Sequence, residues 1–471
     1  MRRVAIALGT LLLAAGCGSE NKAPETGTAG IPLSISGNQN QAIAANGGQK
    51  TAIPQYSEAV LQLLKKANAG VVAGNYGVGV EALSQAIGIS PDDASLFRMR
   101  ADIYVLQGEN ANARVDFGTA IRLAPDNADY YNYRGYFLMS QRLQKEALAD
   151  FDKAIQLNSA HSAAHNNRGL LALTTQDYKS AEVDFSKALD SDRKFADAWN
   201  NRGFARMKLE QYEPALSDLQ QAIRIQENYV TAWNNCGLLY MQQEKYDDAL
   251  KSFARAVELE PMDMRWLSHH RAALLKLKRF AEAQQDQTKL AWLDQLNQLT
   301  QQATRDARNP AAWIVRGSHL MRGSQYGAAV QDFTRALIVN PGNTDALTGR
   351  AAAWLATGEL EKAMLDCDES IVSQSTQQAY SLRGDVWMRL ENLDNAISDF
   401  EAAGRFDDMV AVAYEKRADQ RRGAGKTDDA QSDLDRAREI REAMVDKKVD
   451  SEPPQSAEGF NPALDSGTSK N

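Results

Sequence analysis

A self-similarity of 34 residues runs through most of the chain, and no other feature restricts its fold as strongly. Ala198-Trp199-Asn200-Asn201-Arg202-Gly203 returns as Ala232-Trp233-Asn234-Asn235-Cys236-Gly237, and His165-Asn166-Asn167-Arg168-Gly169 lies one period earlier. The second half of the period recurs as well. Ala147, Ala181, Ala215 and Ala249 form one column, and Phe151, Phe185, Leu219 and Phe253 form another. Pro91, Pro125, Pro261 and Pro341 close four of the periods. Each period holds two helical stretches of about 13 residues, broken near its middle by turn residues such as Gly108, Gly358 or Gly425. A single helix pair cannot bury its own apolar face, so the units must stack. Gly135, Gly169, Gly203, Gly237, Gly317 and Gly384 fall inside helices, where glycine costs about 1 kcal/mol against alanine. That cost implies a closely approaching second helix backbone. Trp199, Trp233, Trp313 and the phenylalanine column are expected to fill the space between units.

Residues 60–444 resemble the tetratricopeptide repeat family. The resemblance implies an all-α, right-handed α-solenoid of about eleven helix-turn-helix repeats, starting at 60, 94, 128, 162, 196, 230, 264, 310, 344, 377 and 411. The repeat at 264 is degenerate, with Arg271 in place of glycine, and residues 281–308 are expected to form one overlong helix. The expected organisation is a seven-repeat segment over 56–297, a connector over 298–309 and a four-repeat segment over 310–444.

An arginine usually precedes the mid-helix glycine, and an aspartate follows sixteen places later. The pairs are Arg100/Asp116, Arg134/Asp150, Arg168/Asp184, Arg202/Asp218, Arg316/Asp332, Arg350/Asp366, Arg383/Asp399 and Arg417/Asp433. The repeat at 230 loses both partners together, having Cys236 and Ser252. Joint loss predicts that the two lie in one repeat and bridge its helices, as partly buried ion pairs that set register more than stability. A row of arginines reading ligand carboxylates is the functional alternative.

In the resembled family the first helices line a concave face, and by that resemblance the binding surface can be read at 34-residue spacing. Asn132, Asn166, Asn200 and Asn234 make one column, with Asn167, Asn201 and Asn235 beside it. Tyr136, Leu170, Phe204 and Leu238 follow, then Met139, Leu173, Met207 and Met241. Asparagine offers both a donor and an acceptor, so such columns can match the backbone of an extended peptide, while the apolar columns take its side chains. The alternative is that the asparagines are solvated or link neighbouring helices.

Arg2 and Arg3, the apolar run Val4 to Leu13 and the small residues Ala14-Ala15-Gly16 read as a secretory leader. Leu13-Ala14-Ala15-Gly16-Cys17 resembles the lipobox of bacterial lipoproteins, although Ala14 stands where leucine is usual. This resemblance implies acylation of Cys17 and an extracytoplasmic, membrane-anchored protein of the cell envelope. Gly18 after the cysteine favours the outer membrane, where one is present. Residues 18–55 read as a disordered tether and 445–471 as a disordered tail.

A net charge of −8 and a pI near 5.4 argue against nucleic acid. Gly423-Ala424-Gly425-Lys426-Thr427 lacks the earlier glycine of a phosphate loop and follows a helix, so no nucleotide site is expected. His161 and His165 have metal-compatible spacing without a third ligand, and neither metal nor cofactor is expected. No catalytic set is present, and Cys236 and Cys367 fall at packing positions. The sequence points to a non-enzymatic scaffold whose partners are other proteins and, through its lipid, a membrane. The alternatives are a non-catalytic subunit of an envelope assembly or a self-associating structural protein.

Overall fold

The computed structural model describes residues 56–451, with side chains as far as Met444. The leader, Cys17, the segment 18–55 and the last twenty residues of the chain lie outside the described residues. Among the described residues are 22 α-helices and no strand.

The chain divides into two compact stacks, one ending at Gln287 and the other starting at Thr288. The N-terminal stack runs through α1 (Glu58–Val72), α2 (Tyr76–Ile89), α3 (Ala94–Gln107), α4 (Asn110–Leu123), α5 (Ala128–Ser140), α6 (Gln144–Leu157) and α7 (Ser162–Thr174). It continues with α8 (Tyr178–Ser191), α9 (Ala196–Lys208), α10 (Tyr212–Ile225), α11 (Val230–Gln242), α12 (Tyr246–Leu259) and α13 (Met264–Lys276). α14 (Phe280–Arg305) begins in this stack and ends in the next. The C-terminal stack holds α15 (Pro310–Arg322), α16 (Tyr326–Val339), α17 (Thr344–Thr357), α18 (Leu360–Ser373), α19 (Gln377–Arg389), α20 (Leu393–Ala402), α21 (Asp408–Gly423) and α22 (Thr427–Ser451).

The division falls inside α14, ten residues before the expected segment end at 297. Its cause is the way the long helix shares its apolar residues. Ala283 packs with Ala249, Phe253 and Leu274 of the N-terminal stack. From Trp292 onward the same helix belongs to the C-terminal stack, where Trp292 lies parallel to His319 with ring centroids 5.0 Å apart. The expected connector is therefore mostly helix, and α22 likewise carries helix past the expected end at 444.

Where a repeat has the mid-helix glycine, it faces a large side chain of the same repeat's second helix, a ring at Gly135, Gly169, Gly237, Gly317 and Gly384 and Leu219 at Gly203. A Cβ added at Gly135 would stand 2.7 Å from the Phe151 ring, and one at Gly169 would stand 2.7 Å from Phe185. The glycine thus makes room mainly for a side chain sixteen positions later, not for a neighbouring backbone. Phe151, Phe185, Phe253, Phe333 and Phe400 are all fully buried there. Trp199 and Trp233 occupy equivalent surroundings, each indole N–H donating to the carbonyl six residues earlier, on Arg193 and Glu227, at 2.8 Å.

Between the two helices of a repeat the chain reverses through one left-handed residue. Gly108, Gly358 and Gly425 take this position, but so do Arg142, Gln176, Glu210, Glu244, Lys278, Ser324 and Glu391. Glycine marks the turn in a minority of repeats, because an L-residue pays only about 1–2 kcal/mol for the left-handed conformation and stacking covers it. Gly169→Ala is expected to destabilise the protein by about 1–3 kcal/mol through overpacking against Phe185. Gly358→Ala, with open space around it, should cost about 1 kcal/mol from backbone strain alone. Urea denaturation of the two variants checks the difference.

Candidate functional site

All eight arginine–aspartate pairs close as bidentate ion pairs inside one repeat. Arg202 Nε and Nη2 donate to Asp218 Oδ2 and Oδ1, both at 2.8 Å, and Arg134, Arg168 and Arg350 repeat the geometry on Asp150, Asp184 and Asp366. Arg100, Arg316, Arg383 and Arg417 do the same with Asp116, Asp332, Asp399 and Asp433. The aspartates are buried, so the guanidinium forks are committed to the fold and not to a ligand. Burial works against the charge on Asp184, yet hydrogen bonds from His165 and Arg168 hold its carboxyl below the usual carboxylate range.

A third bond from most of these arginines ties each repeat to the one before it. Arg168 Nη1 reaches Asp152 at 2.7 Å, Arg202 Nη1 reaches Ser186 at 3.2 Å, and Arg350 Nη1 reaches Thr334 at 3.3 Å. The degenerate repeat holds a ninth clip in different chemistry, since His270 Nδ1 lies 2.7 Å from Asp286 Oδ2. Its signal was the same sixteen-residue spacing, hidden by the change from arginine to histidine. In the repeat at 230, Cys236 and Ser252 are buried, and burial pushes the Cys236 thiol up to about 12.

The two asparagine columns face each other. Asn167 Nδ2 donates to Asn132 Oδ1 at 2.9 Å, Asn201 Nδ2 to Asn166 Oδ1 at 3.1 Å, and Asn235 Nδ2 to Asn200 Oδ1 at 2.9 Å. The ladder extends past the asparagines at both ends with the same separation of 35 positions. His269 Nδ1 stands 2.6 Å from Asn234 Oδ1, and the Arg98 guanidinium lies over the Tyr133 ring, 5.2 Å from its centre. Arg98 also binds Asp102 at 2.6 Å, where burial pushes the Asp102 carboxyl up and the arginine opposes it.

This seam corrects the peptide-binding assignment of several residues. Asn132, Asn166, Asn200 and Asn234 are at most 6% exposed, and Asn235 is 1% exposed, so a peptide backbone cannot reach them. The side-chain carbonyls of Asn132, Asn166, Asn200 and Asn234 are taken by the next repeat's side chain, because neighbouring first helices are offset enough to bring the two columns together. Met139, Leu173 and Met207 are core residues too, Met207 packing with Leu219, Cys236 and Leu239. Half-buried on the same face remain Tyr136, Leu170, Phe204, Leu238 and Met241, with Asn167 and Asn201 beside them.

First helices of consecutive repeats pack on each other along the N-terminal stack, α5 on α7, α7 on α9 and α9 on α11, in addition to their contacts with second helices. This crowding puts the first helices on the inside of the bend. Burial, with Asp197 two repeats away adding to it, pushes the Tyr136 phenol up to about 12, as expected of an inner face that closes on itself. The result is a groove floor of one aromatic or aliphatic side chain per repeat, with the Lys208 ammonium over the Phe204 ring, 5.4 Å from its centre.

Tetratricopeptide repeat family models match residues 196–229 and 230–263, and a second such model matches 64–128, 101–162, 145–194 and 314–379. Together the matches cover more than half of the chain. The chain belongs to the tetratricopeptide repeat family. A DnaJ homolog subfamily C member 7 homolog of Dictyostelium discoideum is 29% identical over 96 residues, which are 19% of this chain and 18% of that protein. RNA polymerase II-associated protein 3 of Xenopus laevis is 28% identical over 93 residues, 20% of this chain and 14% of that one. The chain thus spans less than a fifth of the length of these curated relatives. Among solved structures, PilF of Pseudomonas aeruginosa is 21% identical, with a TM-score of 0.40 over 45% of this chain and 96% of its own.

Two features singled out in the sequence have places in the repeat framework. Gly425 is the left-handed turn between α21 and α22. His161 caps α7 by accepting from the Ala164 N–H and lies 3.1 Å from Asp129, while His165 lies against Asp184 and the Ser159 carbonyl. No group of three or more His, Cys, Asp or Glu is placed to hold a metal among the described residues.

A double-mutant cycle with Arg202→Met and Asp218→Leu is expected to show that either single change costs about 3 kcal/mol and the pair costs less. Purely additive losses in urea melts would contradict the clip's coupling. A second test concerns His269, whose pKa is pressed below its ordinary value by burial and then by Arg265, with Asp263 opposing. The folded state therefore binds this proton less readily than the unfolded chain, and stability falls as pH drops below about 6.5. His269→Asn, which places the residue of the preceding three rungs at this one, should lose less stability than the unaltered protein between about pH 6.5 and 5 in paired thermal melts.

Proposed function

We propose that this protein is a lipid-anchored interaction scaffold of a bacterial cell envelope, whose N-terminal stack holds an extended segment of a partner protein. The observation that carries the reading is the line Tyr136, Leu170, Phe204 and Leu238, half-buried and recurring once per repeat, with Asn167 and Asn201 alongside. The asparagine ladder fixes the spacing of that line by joining neighbouring first helices. A floor of aromatic and aliphatic side chains, one per repeat, favours partner segments with spaced apolar side chains. The sequence around Cys17 supports anchoring through acyl chains, and several chains on one residue bind a bilayer firmly. No described helix is long and apolar enough to cross a membrane. Partners in this reading are proteins, and the chain supplies position and not chemistry.

The test pairs Leu170→Glu with Phe204→Glu in the full chain. Both positions are half-buried against core clusters, so capture is compared only in variants that keep an unchanged helical circular-dichroism spectrum and urea midpoint. Capture of partner proteins from detergent-solubilised envelopes should drop at least tenfold. Undiminished capture would remove the groove from the partner site.

A further inference from the structure

The chain enters the N-terminal stack on the groove side. The Tyr56 hydroxyl is 2.7 Å from Ser95 Oγ of α3. Three residues further along α3 is Arg98, the first rung of the ladder, under the Tyr133 ring. Burial pushes the phenol of Tyr130 up to about 12, and Arg98, Asp93, Tyr56 and Asp129 all act on it. Whatever precedes Tyr56 therefore starts at the N-terminal end of the groove floor.

The sequence preceding Tyr56 offers apolar side chains of the kind that the floor residues Tyr136, Leu170 and Phe204 would bury. From Thr26 to Gln49 there is no Asp, Glu, Lys or Arg, in a chain that is 24% charged. Ile31, Leu33 and Ile35 alternate with Pro32 and Ser34, the period of an extended segment with one apolar edge. Pro32 itself biases Ile31 away from helix toward extended backbone. Reach is sufficient. The chain between Ile35 and Tyr56 extends to about 70 Å, whereas four packed helices at 8–10 Å each span roughly 30–40 Å.

We propose that residues 31–35 dock in cis on the groove floor at Tyr136, Leu170 and Phe204, so that the unengaged protein occupies its own partner site. The proposal rests on the groove being that site, and adds regulation to it. A tethered segment acts at an effective concentration of about 1 mM. Even a weak intrinsic affinity near 100 μM then fills most grooves and weakens an incoming partner about tenfold. Release would follow from any partner that binds the floor more tightly or that seizes the segment itself.

Photo-crosslinking in the full chain tests the placement. A Leu33→p-benzoylphenylalanine variant is expected to give intramolecular crosslinks to peptides containing Tyr136, Leu170 or Phe204, and to lose them when Phe204→Glu is added. Crosslinks elsewhere, none at all, or crosslinks between two chains would overturn cis docking. A second measurement uses a fluorescent peptide of residues 27–49. It should bind the full chain carrying Ile31→Asp, Leu33→Asp and Ile35→Asp about tenfold more tightly than the unaltered chain. Equal binding, or no binding to either, defeats the proposal. The groove reading is judged separately by partner capture with Leu170→Glu and Phe204→Glu, so cis docking can fail while that reading stands.

Discussion

The two helices of a repeat can approach as they do because a glycine or alanine on the first leaves room for a large apolar side chain on the second, in most repeats a ring. That contact joins residues sixteen positions apart, as Gly135 with Phe151 and Gly169 with Phe185. The arginine just before the glycine and the aspartate just before the ring are sixteen apart as well, so ring and ion pair are set by the same approach. Moving the second helix outward to admit a Cβ would open both. The ring fills volume without orientation, whereas the bidentate fork fixes rotation and register, which is the better-supported use of a buried charge pair.

Stacking uses the same residues twice. The arginine that closes its own repeat also reaches Ser186, Thr334 or Asp152 on the preceding second helix. Intra-repeat closure and inter-repeat stacking are thus linked through one guanidinium, and a repeat cannot loosen without disturbing its neighbour. The repeat at 230 does without this device through Cys236 and Ser252, and the next one replaces arginine by His270. These two are the last repeats before the division at Gln287, where the clip changes from arginine–aspartate to none and then to histidine–aspartate.

On the inner side, the ladder from Arg98/Tyr133 to Asn234/His269 performs the lateral joining. It withdraws most of the polar groups that sequence columns offer to a ligand and leaves a line of larger aromatic and aliphatic side chains facing the groove. Polar residues hold the helices in place, and apolar ones are left to meet a partner. This division of labour explains why the face can be both a structural seam and a binding floor.

The repeat length, the all-helical class and the sixteen-residue pairing of Arg202 with Asp218 were legible in the sequence, because each is a local periodicity that a tandem copy preserves. The overlong helix after position 280 was legible too, from the wide gap between the repeat starts at 264 and 310. Three things were decided only in the tertiary structure. Asn167 finds Asn132 at 35 positions and not 34, because side-chain partners across a stack depend on the offset between neighbouring helices, which a column written at the repeat period cannot display. Glu210 and Glu244 adopt left-handed turns at φ 60° and 58° without any glycine to announce them, since packing on both sides supplies the modest strain. The division between the stacks falls within α14, because it follows which core each side chain of one unbroken helix enters, and helix propensity carries no information about that choice.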